Sequence, residues 1–496
     1  MAISFNDISS DLRVPLFWAE IDSSKANTTA DGTAPALLMG YANTDAAIPR
    51  NTLTIMPSAG LAGSMAGRGS QLARMVNRYR NIDPTGELWV IALDAPAAGA
   101  VATSTITVVG SAQESGTVYL YIGAVQVQAG VTAEDTASDI ATTIVAAVNA
   151  NLDLPVTATV EAGVVTLTAR HKGLCGNDIP IALNYYGIVG SETTPSGVTI
   201  TIAAMSGGTG APSLDSAIAV MGDEPFDFIG SPFNDTASVN AIHAEIASRW
   251  GYSRQLYGHA YSAKIGSLSA LIAFGDTLNL PHITMPGYEP TTQTSADELV
   301  AMRAARNAVF IRNDPARPTQ TGVLTGALPA QKGSRFMFAE HQSLLSHGIA
   351  TASVESGSLL IQRDITMYQK NSFGVSDNSY YDSETLHTTA YVMRQLKAAI
   401  TSKYPRHKLA NDGTRFGAGQ AIVTPAVIKG ELLAVYRRLE RAGIVENYDL
   451  FKKYLVVERN ADNPNRLDVL FPPDYINQLR VFAVVNQFRL QYSDED

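Results

Sequence analysis

One cysteine, Cys175, stands in 496 residues. That excludes an intramolecular disulfide framework and fits a reducing, cytoplasmic folding environment. Charge is scarce as well: 17% of residues are Asp, Glu, Lys or Arg, with a formal balance of −10, where about a quarter is usual. A nucleic-acid binder needs the opposite balance and a stripe of cations interleaved with aromatics. No window approaches the roughly 18 apolar residues of a membrane span, and no basic stretch followed by an apolar run opens the chain. The expectation is a soluble, untargeted protein with large subunit contacts, long enough for about three domains.

Signatures of chemistry are also missing. The Gly-rich turn "SGGTGAPS" at 206–213 matches neither G-x-G-x-x-G nor the Gly-Lys-Ser/Thr ending of a P-loop, and no lysine falls between Lys172 and Lys264. It reads either as a phosphate cradle or as a turn at a domain junction. Gly60, Gly63, Gly67 and Gly69 pose the same choice, since small residues there also suit close backbone packing. His341 and His347 lie six apart and do not share a helical face as an i, i+4 ligand pair would. Cys175 has no base of obvious role nearby in sequence, no G-x-S-x-G elbow occurs, and Asp223 and Glu224 read as an acidic turn before Pro225. No catalytic, cofactor-binding or metal-binding residue is assigned, and the chain is not read as an enzyme.

What is present is a strong alternation of elements. "ALLMGYA" and "ELWVIALD" read as buried strands around a helix with Leu72, Met75, Val76 and Tyr79 on one face and Arg74 and Arg78 on the other. From Ala95 to Ser206 the composition shifts to Ala, Val, Thr and Gly, with several strands around one helix, "DTASDIATTIVAAVNAN". "PFDFIGSPF" and "SVNAIHAEIASRWG" then resume the α/β pattern, and longer helices follow from "ADELVAMRAARNAVFIRN" onward. One helix is well delimited, by Thr424 at the cap, Pro425 at the first position and Gly443 at the stop. The fold class expected is multidomain, α/β and α+β: an α/β core interrupted by a β-rich insertion, a C-terminal α+β domain, and extended N- and C-terminal strand arms. The divisions fall at 1–24 (arm), 25–94 (core), 95–206 (insertion), 207–300 (core), 301–478 (C-terminal domain) and 479–496 (arm).

Both ends alternate like half-buried strands. Leu12, Val14, Leu16 and Trp18 share one face, with Pro15 marking an edge strand; Val481, Ala483, Phe488, Leu490 and Tyr492 belong to the other end. Terminal segments fray unless something holds them, so the partner is the chain's own sheet or a neighbouring copy's. Charge is uneven too. Gln395 to Asn460 holds twelve basic against six acidic residues, +6 within a chain of −10. On the helix after Pro425, Ile428, Leu432, Val435, Tyr436 and Leu439 mark the buried face, leaving Arg437, Arg438 and Arg441 largely opposite, with Lys429, Lys452 and Lys453 nearby. Either this is a solvated face or it meets an acidic partner.

The phrases "GRGSQLARMVNRYR", "GELWVIALD", "GIATASVESGSLLIQRDITMYQKN", "SYYDSETLHTTAYVMRQLK", "YPRHKLANDGTRFGAGQAIVTP" and "NADNPNRLDVLFPPDYINQLRVFAVVNQFRL" together resemble the tail sheath protein of Mu-like contractile-tailed bacteriophages. The resemblance spans nearly the whole chain and is weakest in the insertion. It implies a virion structural protein, assembled in the host cytoplasm, that forms stacked hexameric rings around a tail tube and contracts to drive the tube through the host envelope. Its implied partners are further copies of itself, the tail tube protein, and baseplate and tail terminator proteins, with no cofactor, no nucleic acid and no membrane insertion. It further implies that the arms add strands to neighbouring subunits' sheets, that the insertion faces outward, and that Lys429, Arg437, Arg438, Arg441, Lys452 and Lys453 face the tube. A related contractile injection device, such as a phage-tail-like bacteriocin or a secretion system, shares this mechanism. The rival from another class is a nucleotide-binding α/β enzyme built on a Gly-rich turn.

Overall fold

The computed structural model describes residues 34–490. Strand β1 (Ala36–Tyr41) leads to β2 (Leu53–Ile55), α1 (Ala59–Ala66), α2 (Gln71–Arg80) and β3 (Leu88–Leu93). Seven strands follow, β4 (Val101–Gly110), β5 (Gly116–Ile122), β6 (Val125–Val131), β7 (Val156–Glu161), β8 (Val164–Lys172), β9 (Ile181–Leu183) and β10 (Val198–Ile202), with α3 (Ala137–Ala150) between β6 and β7. The chain then forms α4 (Asp215–Met221), β11 (Phe228–Gly230), α5 (Thr236–Trp250), β12 (His259–Tyr261), β13 (Lys264–Ile265), α6 (Leu268–Asp276), β14 (Ile283–Thr284), β15 (Gly287–Tyr288) and α7 (Ala296–Asn313). Last come α8 (Phe338–Ser346), β16 (Thr351–Glu355), β17 (Ser358–Arg363), α9 (Ser383–Lys403), β18 (Lys408–Leu409), β19 (Ile422–Val423), α10 (Pro425–Arg441), α11 (Tyr448–Tyr454), β20 (Val456–Arg459) and β21 (Leu467–Leu470).

The main sheet has the order β14-β12-β11-β1-β3-β2, with β1 parallel to both β3 and β11. All six residues of β1 are buried. A parallel strand covered by helices on both faces needs an unbroken apolar run rather than an alternating one, and ALLMGY supplies it. Gly40 brings α2 close, since a Cβ there would lie 3.3 Å from the Leu72 backbone. Between α1 and α2 the chain breaks at Gly67 and Gly69, whose φ values of +87° and +74° no ordinary side chain accepts comfortably. Gly60 and Gly63 sit inside α1 instead.

The residues between β3 and β11 form two antiparallel sheets, β10-β4-β8-β7 and β6-β5-β9. They share an apolar cluster of their own, with Ile140, Ile144 and Val148 of α3 among Ile106, Leu120 and Leu167. A capping box at Thr136 and Asp139 starts that helix. At the other end of the chain α9, α10 and α11 surround Val392, Leu432, Val435, Tyr436 and Phe451, with the Tyr436 and Phe451 rings stacked 3.7 Å apart. Thr424 caps α10 by accepting from Val427 N, and Gly443 takes φ +73° just beyond its end. The chain is a multidomain α+β protein.

Helix α7 runs through the centre. It is buried along most of its length, and its burial includes charge: Arg303 and Asp364 are both fully buried, Nε to Oδ1 2.6 Å. Arg303 also donates to the Tyr288 hydroxyl and to Thr351 O, and Asn307 Nδ2 donates to Asp364 Oδ2 at 2.8 Å. At the helix N-terminus, Arg74 pairs with Asp297 (2.6 Å) and Glu298 (2.8 Å), and Arg78 with Glu298 (2.6 Å). Arg74 and Arg78 therefore do not form the solvent face that their period on α2 suggests; carboxylates over two hundred residues away cover them. The division expected after residue 300 falls inside α7, which is continuous because its residues serve the main sheet and the β16–β17 hairpin at once.

Replacing Arg303 with Met leaves Asp364 buried beside Asn307 without its cation, which should cost about 3–5 kcal/mol. Urea denaturation should show this as a lower midpoint at unchanged slope. A loss below about 1 kcal/mol would mean that the pair does not hold α7 in place.

Candidate functional site

Strand order reverses between β1 and β11, and in a doubly wound sheet a ligand would sit beyond the carboxyl ends of those strands. The ends are Tyr41 and Gly230. The chain fills the space beyond them with its own 3₁₀ turn, Leu174–Asp178, between β8 and β9. Cys175 Sγ lies 3.7 Å from Pro232 O, and Asn234 Nδ2 donates to Asp178 Oδ2 at 3.3 Å. The His171 and Tyr41 rings are 5.7 Å apart, and His171 Nε2 accepts from Gln71 N, the first N–H of α2. Ser70 Oγ accepts from Ala73 N. The helix N-terminus that could have held a phosphate is thus closed by side chains. A Cβ at Gly69 would lie 2.5 Å from Leu154 O, so the insertion also presses on the Gly-rich loop, beside the ion pair of Arg68 with Asp153 at 2.7 Å.

The second Gly-rich turn is a junction. Ala100 and Thr209 exchange backbone hydrogen bonds, and Gly208 N donates to Asn177 Oδ1 at 2.8 Å. Asp223 pairs with Arg254 at 3.0 Å. His347 Nδ1 contacts Ser343 O at 2.7 Å, whereas His341 lies edge-on to Phe336, so the two histidines do not converge. Among the described residues no group of three or more His, Cys, Asp or Glu could hold a metal ion, and no helix is long and apolar enough to cross a membrane. Burial pushes the Cys175 thiol up to about 12, which keeps it protonated at neutral pH, and raises the Asp178 carboxyl to about 6. Burial, helped by the Arg74 guanidinium, pulls His171 down to about 4.

The cationic residues singled out above gather on the C-terminal helices. Arg437, Arg438, Arg441, Lys452 and Lys453 are exposed and Lys429 is half-buried. The Arg437 guanidinium lies 4.5 Å from the centre of the Tyr448 ring, which joins the basic face of α10 to α11. The opposite stripe of α10, from Ile428 to Leu439, is buried as its period requires.

At the C-terminal end, every residue from Val481 to Leu490 is exposed and none belongs to a strand. Val481, Ala483, Phe488 and Leu490 thus have no sheet partner among the described residues. Leu12, Val14, Leu16, Trp18 and Tyr492 lie outside the described residues. Just before this segment is a residue that sequence reasoning passed over. Arg480 is half-buried and pairs with the fully buried Glu384 at 3.0 Å. An arginine interrupting the apolar run "LRVFAVV" is the signal that could have found it.

The described residues thus bring together a crevice filled by the chain's own turn, an exposed apolar segment and a basic helical face. Residues 207–367 match the family model for the phage tail sheath protein central domain, and residues 375–489 match that for the phage tail sheath C-terminal domain. The chain is 38% identical over 496 residues to a Mu-like prophage FluMu tail sheath protein of Haemophilus influenzae, covering 99% of this chain and 100% of that one. Among solved structures it is similar to the sheath tail protein of Desulfitobacterium hafniense (12% identity, TM-score 0.49, 94% of this chain and 97% of that one). It is likewise similar to that of Listeria innocua (12% identity, TM-score 0.49, 90% and 92%). The chain belongs to the phage tail sheath protein family. It is a structural subunit of a phage tail sheath, a component of the virion tail.

The filled crevice makes a testable statement about its one thiol. With the pKa near 12 rather than 9, the thiolate fraction at pH 8 falls about a thousandfold. A thiolate of higher pKa is also the better nucleophile, which offsets part of that loss, so a disulfide reagent should label Cys175 in the native chain roughly 30- to 60-fold more slowly than in urea. Native labelling within tenfold of the unfolded rate would mean an open crevice.

Proposed function

We propose that this subunit polymerises as stacked hexameric rings around a tail tube and that the stack contracts to drive the tube through the host envelope. Further copies of itself are its main partner. The tail tube protein lies inside, baseplate and tail terminator proteins close the two ends, and assembly takes place in the host cytoplasm. The observation that carries this reading is the run from Val481 to Leu490, in which Val481, Phe482, Val484, Val485, Phe488 and Leu490 are 68–97% exposed. An extended apolar segment gains nothing by standing alone in water. On a neighbour's sheet edge its N–H and C=O groups pair and its side chains are covered, which is β-augmentation.

The single chain offers free edges for such strands. β20 and β21 form a sheet of two, with Val456, Val469 and Leu470 exposed. A lone hairpin is marginal in water and gains from added strands. The C-terminal arm, 479–496, and the N-terminal arm, 1–24 with Leu12, Val14, Leu16 and Trp18, supply them in this reading. The insertion, 95–206, has its own apolar cluster and stands on the outer surface as a unit, with the core segments 25–94 and 207–300 beneath it and the C-terminal domain, 301–478, inside. The extended stack is metastable, and a small gain in contact per subunit, summed over many subunits, does the work.

The basic face of α10 and α11 supports an inward position. Exposed charge pairs contribute about 0–1 kcal/mol each, enough in a ring to template assembly and weak enough to release together when the sheath widens.

Deleting 481–496, which spares Arg480 and its pairing with the buried Glu384, should leave a folded chain that stays monomeric, as read by sedimentation and electron microscopy. Tubes of normal length from that truncation would sink the linkage. Separately, reversing Arg437, Arg438 and Arg441 to Glu should impair assembly on the tube while the isolated subunit still unfolds in one cooperative urea transition, and high salt should reproduce part of the loss. Normal sheathing by the triple variant would leave these arginines as a solvated face.

A further inference from the structure

The point where the C-terminal segment leaves the subunit is built, not loose. Gln478 Nε2 donates to Ala316 O at 3.0 Å, Ile476 N donates to Ile444 O at 3.2 Å, and Gln320 Nε2 contacts Leu479 O at 3.5 Å. Arg480 then spreads its fork over three acceptors: Gln320 Oε1 at 3.2 Å, Asp382 Oδ1 at 3.4 Å and Glu384 Oε2 at 3.0 Å. Arg480 is thus a half-buried anchor between the exposed Leu479 and the exposed run from Val481 to Leu490.

The acids beneath Arg480 lead inward. Asp382 is also held by Arg363, at 2.9 and 3.0 Å. Glu384 Oε1 accepts from Thr319 N at 2.9 Å and from the Thr319 hydroxyl at 2.7 Å. That hydroxyl lies 3.3 Å from Asp364 Oδ2, and Asp364 is the partner of Arg303 on α7. Arg480, Glu384, Thr319, Asp364 and Arg303 thus form one continuous polar chain from the surface to the central helix. A buried carboxylate is costly unless its cation stays in place, so Glu384 holds Arg480 as firmly as Arg480 holds the segment.

We infer that Arg480 is a positioning residue, a clamp that fixes the direction in which the C-terminal segment leaves the subunit and passes any pull on that segment through Glu384 and Asp364 to α7. The clamp rests on the linkage reading for its use in the sheath, but its existence can be measured in the monomer. An unclamped arm would swing at Gln478 and absorb the motion of its neighbour. A clamped one makes the subunit follow its neighbour as a rigid body.

The test uses the full chain in a Cys175→Ser background, with spin labels at Phe482→Cys, two residues past the clamp, and at Thr401→Cys on the exposed side of α9. Pulsed dipolar spectroscopy of the monomer should give one narrow distance distribution. Arg480→Met should broaden it at least twofold. Arg480→Lys keeps a cation beside Glu384 but cannot reach all three acceptors; it is the variant most certain to fold and should broaden the distribution by an intermediate amount. An unchanged width in Arg480→Lys and in any folded Arg480→Met would overturn the clamp, whatever the sheath does. Sheath assembly is scored on the same variants. Broadening with short or irregular sheaths supports both the clamp and the linkage, whereas broadening with normal sheaths supports the clamp and removes the linkage reading.

Discussion

Everything in this molecule is arranged around a helix that carries its own charges into the core. Arg303 of α7 meets Asp364 with both side chains fully buried, and that pair can exist only where Tyr288, Asn307 and Thr351 supply the remaining hydrogen bonds. Such a pair contributes little net stability over an apolar replacement, but breaking it is expensive. Its effect is to fix register. Helix α7 cannot slide or rotate without exposing an unpaired charge, so the main sheet on one side and the β16–β17 hairpin on the other keep one relative arrangement. Asp297 and Glu298 at the helix start extend the same constraint to α2 through Arg74 and Arg78.

The proposed contraction would draw on this rigidity, and the filled crevice has the same consequence. The doubly wound sheet has the architecture that nucleotide enzymes use, including a Gly-rich loop before a helix. Here His171 and Ser70 occupy the helix N-terminus, and the turn carrying Cys175 and Asp178 lies beyond the strand ends. What an enzyme leaves open for a ligand, this chain spends on seating the insertion.

Much of this was legible in the sequence, and for definite reasons. β1 is an unbroken apolar run because both faces are covered, and α10 shows its buried stripe and its caps because Thr424, Pro425 and Gly443 act locally. The break between α1 and α2 needed φ values that glycine permits but does not announce. Arg74 and Arg78 looked like a solvent face because their partners are more than two hundred residues away, and no local period encodes a contact at that range. α7 was legible as a helix but not as the centre, since helices that bury both apolar and paired charged residues lack a single apolar stripe. The C-terminal segment was legible as a strand pattern, yet among the described residues it pairs with no strand of its own chain, and a sequence pattern does not name the partner. Arg480 was passed over because an arginine interrupting an apolar run does not name its partner; only the fold brings Glu384 beneath it.

The measurement that reaches the centre of this account is a cryo-electron microscopy reconstruction of the assembled sheath at side-chain resolution. The account predicts that Val481 to Leu490 form a strand in the sheet of a neighbouring subunit while Arg480 remains on Asp382 and Glu384 of its own chain. A segment folded back on its own subunit, or an Arg480 released from the acid pair, would contradict it.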